Sequence, residues 1–144
     1  MSQHVSTILI VEDDEGHAIL IRENLEAVGL RARIKHFSDG QAVLDFFAKG
    51  VADRPDTYLV LLDIRMPKVD GIEVLRRLKA NPLLAKLPVI MLTTTDDTRE
   101  INRCYALGCN GYIQKPVDYE KFANAIRNLG LFVPLLLIPT VGTS

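Results

Sequence analysis

The chain has 144 residues, 48% hydrophobic and 24% charged, with 17 basic against 18 acidic side chains and a net charge of −1. That is one domain's worth of soluble globular sequence, and its balanced charge argues against a dedicated nucleic-acid surface, which would show a basic excess or stripe. The longest apolar stretch, Leu135-Leu136-Leu137-Ile138, is broken by Pro134 and Pro139 and falls far short of the ~20 residues that cross a bilayer, and Met1–Thr7 lacks the features of a secretory leader. No membrane partner and a cytoplasmic location are therefore expected.

Residues 1–6 carry no pattern and are expected to be flexible. Ile8-Leu9-Ile10-Val11 is a short apolar run that ends in Glu12-Asp13-Asp14. Residues 15–28 place Ala18, Ile21, Leu25 and Val28 on one helical face, with Gly29 suited to the position after the last turn. Ala32–His36 alternates apolar and polar residues like a strand with one wet face, and Ser38 or Asp39 can cap a helix carrying Val43, Leu44 and Phe47. Arg54-Pro55-Asp56 reads as loop. Leu59-Val60-Leu61-Leu62 is a second wholly apolar run and ends in Asp63. The loop Met66–Gly71 leads into a helix with Ile72, Leu75 and Leu78 inward, ended by Asn81-Pro82. Val89–Leu92 runs into Thr93-Thr94-Thr95, and a helix is expected over roughly 97–107. Gly108 and Gly111 bracket the turn into Tyr112-Ile113, soon followed by Lys115-Pro116. Asp118 opens a last helix with Phe122, Ile126 and Leu129 on one face. Cys104 and Cys109 have neither CxxC spacing nor a nearby histidine and read as small buried thiols.

Five alternations of strand and helix predict an α/β fold, an open parallel sheet with five helices on its two faces. The first, third and fourth runs are apolar throughout, as interior parallel strands are. The second alternates and carries Arg33 and Lys35, and the fifth is very short; both suit edges. The strand order 2-1-3-4-5 satisfies these observations. In this flavodoxin-like, doubly wound arrangement ligands bind beyond the carboxyl ends of strands 1 and 3, where Glu12-Asp13 and Asp63 lie.

Two carboxylates ~4 Å apart at an effective dielectric near 20 repel by roughly 4 kcal/mol, so this cluster calls for a counter-charge. A hard divalent cation supplies it, and Mg²⁺ favours a few carboxylates plus waters and a phosphate oxygen. Asp63 is the candidate nucleophile for a phosphoryl group, Lys115 a counter-charge on the other side, and Thr93 a hydrogen-bonding hydroxyl.

Over residues 7–129 the chain resembles the receiver domains of two-component response regulators. The resemblance is carried by Ile8–Asp14, Leu62-Asp63-Ile64-Arg65-Met66-Pro67 with Asp70-Gly71, Met91-Leu92-Thr93, and Gly111–Pro116. It implies that Asp63 takes a phosphoryl group from a histidine kinase, with self-catalysed transfer and dephosphorylation rather than enzymatic turnover. It further implies that Glu12, Asp13, Asp63 and the Arg65 backbone carbonyl hold Mg²⁺, that Lys115 pairs with the phosphoryl group, and that the Lys115–Pro116 bond is often cis. Thr93 and Tyr112 are then the switch, moving inward on phosphorylation and changing the face made by helix 4, strand 5 and helix 5. Longer phrases, Asp63–Gly71, Leu92–Asp97 and Cys104–Asp118, are similar to the small single-domain regulators partnered with phytochrome kinases.

No effector domain is expected after residue 129, so output passes through an unidentified downstream protein. The segment 130–144 is apolar over Leu131, Phe132, Val133, Leu135 and Leu137. It is expected either to fold back on its own domain or to act as a dimerisation arm that gives a homodimer. Two other functions fit the same residues: a Mg²⁺-dependent phosphohydrolase with an aspartyl intermediate, and an unphosphorylated scaffold receiver. The histidines lack metal-ligand spacing; His4 reads as a tail residue, His17 as solvent-facing, and His36 as a strand end.

Overall fold

The computed structural model describes residues 2–5, 7–49, 58–94, 96–115, 118–133 and 137–139. Strand β1 (Ser2–His4) is followed by β2 (Thr7–Val11), α1 (Glu15–Ala27), β3 (Arg33–Phe37) and α2 (Gly40–Ala48). Then come β4 (Tyr58–Asp63), α3 (Gly71–Ala80), β5 (Val89–Thr93), α4 (Thr98–Ala106), β6 (Gly111–Gln114), α5 (Tyr119–Phe132) and β7 (Leu137–Pro139).

Strands β2 to β6 form one parallel sheet in the order β3-β2-β4-β5-β6. Counted as the five runs of the sequence, this is the order 2-1-3-4-5. The three central strands are buried on both faces, so alternate residues feed two separate cores. Leu9, Val11, Val60, Leu62, Val89 and Met91 pack with Val43 of α2 and with Val74, Leu75 and Leu78 of α3. Ile8, Ile10, Leu59, Leu61 and Leu92 pack on the other face with Ala18, Ile21 and Leu25 of α1 and with Phe122 and Ile126 of α5. A fully buried aliphatic side chain contributes about 1.5–3 kcal/mol, so these two layers dominate the folding energy.

Every described α-helix starts on an aspartate whose carboxylate accepts a backbone N–H of the first turn. Asp14 takes His17 N, Asp39 takes Ala42 N, Asp70 takes Glu73 N, Asp97 takes Arg99 N and Asp118 takes Glu120 N. Each such cap is worth about 1 kcal/mol and fixes where the loop at the strand's carboxyl end stops.

Some details depart from the sequence reading. Strand β3 starts at Arg33 and includes Phe37, one residue later than expected. An edge strand with one wet face specifies its limits weakly, and Phe37 gains a partner in Phe46, ring centroids 5.2 Å apart. In α3 Val74 is buried together with Leu75 and Leu78, while Ile72 is only half-buried. The loop expected at Arg54–Asp56, residue Pro116 with its peptide bond, and Leu135 lie outside the described residues.

At the termini, Ser2–His4, read from the sequence as a flexible start, pair antiparallel with Leu137–Pro139. Helix α5 continues past the expected domain end at 129 to Phe132. Val133, a dimerisation candidate, is buried in the chain's own α1/α5 core, whereas Leu131 is 60% exposed.

Candidate functional site

Strands β2, β4 and β5 end side by side, so the residues following their apolar runs converge at one rim of the sheet. The buried polar side chains Glu12, Asp63, Thr93 and Lys115 all lie there. Oxygen atoms of Glu12, Asp13 and Asp63 come within 4.8 Å of one another. Lys115 Nζ stands 3.1 Å from Asp63 Oδ2 and also contacts Glu12 Oε2. Asp13 is the exposed member of the acidic group, and Asp14 faces away to cap α1.

Backbone hydrogen bonds hold these groups. Lys115 N donates to Thr93 O at 2.6 Å, which ties the ammonium-bearing loop to the end of β5. Ile64 N donates to Leu92 O at 3.0 Å, and Gly71 N donates to Ile64 O at 2.7 Å, folding the loop after Asp63 back on itself. That return needs a glycine: a Cβ on Gly71 would collide with the Asp63 carbonyl oxygen and lie 2.8 Å from Ile64 Cα. The Arg65 guanidinium, further along the loop, pairs with Glu100 of α4 at 3.0 Å.

Burial pushes the Glu12 carboxyl from 4.5 up to about 7; contact with Lys115 opposes the rise and the Asp63 charge adds to it. A folded value above the unfolded one means protonation favours the folded state. The resulting stability is full below about 4.5 and is lost as pH rises through about 7. Glu12→Gln mimics the neutral form at every pH. Without divalent ions at pH 8 it is expected to be more stable than the parent by on the order of 2 kcal/mol, after discounting the lost Lys115 pair, and the gap closes towards pH 5. Urea unfolding at both pH values reads this difference, and a variant no more stable than the parent at pH 8 would contradict it.

The donor set fits a hard divalent cation: the candidate ligand atoms are all oxygen, three carboxylates share one small volume, and the Lys115 ammonium contacts two of them. The rim thus combines an anionic pocket, a buried ammonium and a buried hydroxyl, which together suit the transfer of a phosphoryl group.

Tyr112, on edge strand β6, is 42% exposed, and its ring meets that of Tyr105 on α4 edge to face, centroids 6.1 Å apart. His17 was expected to face solvent. Instead its ring packs 6.1 Å from Phe122 and 6.3 Å from Tyr119, because α1 and α5 cover the same sheet face, and its Nδ1 lies 4.0 Å from Glu12. Glu100 and His36 also touch the site's backbone or loop. Neither had a signal in the sequence, since their partners lie 35 and 24 positions away. The two cysteines are buried and unpaired, as read.

Comparison with known proteins agrees with this geometry. The profile of the response regulator receiver domain matches residues 8–127. A response regulator receiver domain from Rhodospirillum rubrum superposes with a TM-score of 0.88 at 46% identity, covering 95% of this chain and 99% of that one. Response regulator Rcp1 of Synechocystis sp. is 31% identical over 127 residues, 87% of this chain and 86% of Rcp1. A crystal structure of the Mn²⁺-bound form of Rcp1 superposes at TM-score 0.85, with 28% identity over 94% of this chain and 99% of that one. The phosphorylated cyanobacterial phytochrome response regulator RcpA does so at 0.85 and 29%, with the same coverage.

Proposed function

This chain belongs to the response regulator receiver domain family, and from that premise we propose that it is a phosphoryl-accepting signalling switch with Asp63 as its acceptor. The observation that carries the reading is the convergence of the Glu12, Asp13 and Asp63 oxygens within 4.8 Å, with the Lys115 ammonium against two of them.

Glu12, Asp13, Asp63 and the Arg65 backbone carbonyl would hold Mg²⁺. When bound, that ion neutralises charge on the transferring oxygens. A carboxylate oxygen of Asp63 attacks the phosphorus of a phosphohistidine on the kinase. The O–P bond forms, the N–P bond breaks, and its electron pair stays on the imidazole nitrogen, which takes up a proton. Lys115, already 3.1 Å from Asp63, is placed to follow a phosphoryl oxygen. Thr93, fully buried at the end of β5, is placed to hydrogen-bond another.

The switch follows from the same groups. As Thr93 turns to the new oxygens, Tyr112 leaves Tyr105 and moves inward behind it, changing the face of α4, β6 and α5. Reversing a 1:99 population takes roughly 5.5 kcal/mol, a size that several charge-assisted hydrogen bonds to a dianion can supply. Likeness to a phytochrome response regulator supports a phytochrome-type histidine kinase as donor. Signalling in the cytoplasm goes with this reading; no described helix is long and apolar enough to cross a membrane. Leu131, exposed at the end of α5, supports a homodimer contact near the tail.

The test is incubation with acetyl phosphate and Mg²⁺ followed by intact-mass measurement. A gain of about 80 Da, one phosphoryl group, is expected, and EDTA should prevent it. Absence of any gain with acetyl phosphate, phosphoramidate or a kinase would overturn the reading, and steady phosphate release from small phosphomonoesters would replace it with a phosphohydrolase. Sedimentation of the same samples reports whether the protein is dimeric.

A further inference from the structure

The Glu12–Asp13 peptide is held from the side by the edge strand. In register, β3 runs beside β2 with Ile10 opposite His36 and Val11 opposite Phe37. The ladder then makes one more bond, from Glu12 N to Phe37 O at 3.0 Å. Beyond it β3 ends, and among the described residues no backbone N–H reaches the Glu12 carbonyl. The side chain of His36 takes that place, with Nε2 2.7 Å from Glu12 O. A carbonyl oxygen only accepts, so Nε2 carries the hydrogen and donates it.

That carbonyl belongs to the peptide unit joining Glu12 to Asp13. A peptide unit is planar, so fixing its oxygen and the preceding N–H fixes the direction in which the chain leaves towards Asp13. The two carboxylates flank this one unit, and they must meet Asp63 within a small volume. Three like charges pushed together tend to splay the loop, and Asp13, being exposed, has no packing to resist it. His36 supplies the restraint from β3 without touching the cation.

We propose that His36 is a positioning residue for the divalent-metal site: its Nε2–H anchors the Glu12–Asp13 peptide and thereby aims the two carboxylates at the ion. The inference rests on the metal reading above and deepens it.

Its test uses Gln and Met, which are close in shape but differ in having an N–H to donate. Mg²⁺ affinity is measured by isothermal titration calorimetry on the unphosphorylated protein. His36→Met is expected to raise the Mg²⁺ dissociation constant about tenfold, the usual size for loss of an outer-sphere hydrogen bond, and His36→Gln to stay within about threefold of the parent. A merely structural role would lower the melting temperature in EDTA without separating the two variants in Mg²⁺ affinity.

His36→Met binding as tightly as the parent, or His36→Gln binding as weakly as His36→Met, overturns the role of His36 alone. Parent protein that takes up no Mg²⁺ overturns the metal reading and this inference with it. Should either variant fail to fold, the imidazole ¹⁵N spectrum of the parent decides: a proton on Nε2 is expected, and a ring that carries its proton on Nδ1 alone refutes the donation.

Discussion

Asp63→Asn is expected to abolish phosphoryl uptake, with no mass gain after acetyl phosphate and Mg²⁺, while the fold is kept. The two side chains are nearly the same size, so the buried site suffers no cavity and no clash. The amide oxygen, however, is a poor nucleophile, and a phosphoryl group placed on it would have no stable acyl phosphate to form. Removing one of three crowded carboxylates also relieves repulsion of a few kcal/mol at most, so the variant should unfold no more easily than the parent without divalent ions. Lys115 keeps its contact with Glu12, which stops the substitution from stranding a buried ammonium. The contrary result is informative: a full mass gain on Asp63→Asn would move the acceptor to Asp13, the exposed carboxylate of the cluster.

Gly71→Ala is the change expected to do most harm to the fold for the least chemistry. Helix α3 begins at Gly71, which approaches the backbone of Asp63 and Ile64 at the end of β4. A methyl group there would collide with the Asp63 carbonyl oxygen and sit 2.8 Å from both the Asp63 carbonyl carbon and Ile64 Cα. These are backbone atoms at the end of a central strand, so no flexible side chain can yield. The hydrogen bond from Gly71 N to Ile64 O, 2.7 Å, holds the two segments together and must break or stretch. A loss of about 3 kcal/mol, equivalent to roughly 10 °C in melting temperature for a domain of this size, is expected by circular dichroism. Gly16 offers the control, since a methyl there would lie 3.2 Å from the exposed Asp14 carboxylate, which can swing away. Gly71→Ala melting within about 2 °C of the parent would show that the loop has slack not apparent in its contacts.

Much of this was legible in the residues because central parallel strands leave a strong trace. Ile8–Val11, Leu59–Leu62 and Val89–Leu92 are apolar on both faces, and a chain of this size has few other places to put such runs. The polar residues that follow them had to gather at one rim, which is where Glu12, Asp63 and Thr93 lie. Cap aspartates were readable for the same reason: Asp39 and Asp118 each precede a periodic segment.

Long-range side-chain contacts were less visible. His36 looked like a strand end because its hydrogen bond spans 24 positions and depends on where β3 stops. His17 borders the buried stripe of Ala18, Ile21 and Leu25 on α1, and the packing of α5 gives its ring the neighbours Tyr119 and Phe122. The pairing of Ser2–His4 with Leu137–Pro139 joins the two ends of the chain, and three polar residues without alternation give no hint of it.

The separation of the apolar interior into two layers has a consequence for how such a protein can diverge. Substitutions in the layer under α1 and α5 and in the layer under α2 and α3 share few direct contacts across the sheet, so their effects on stability should be close to additive. Either layer can then drift in sequence, and re-aim the helices resting on it, without a compensating change in the other. The reactive rim meets both layers at the carboxyl ends of the strands, where Glu12, Asp63, Thr93 and Lys115 lie. A lineage can therefore acquire a new kinase or a new target by altering one helical face while inheriting its chemistry intact.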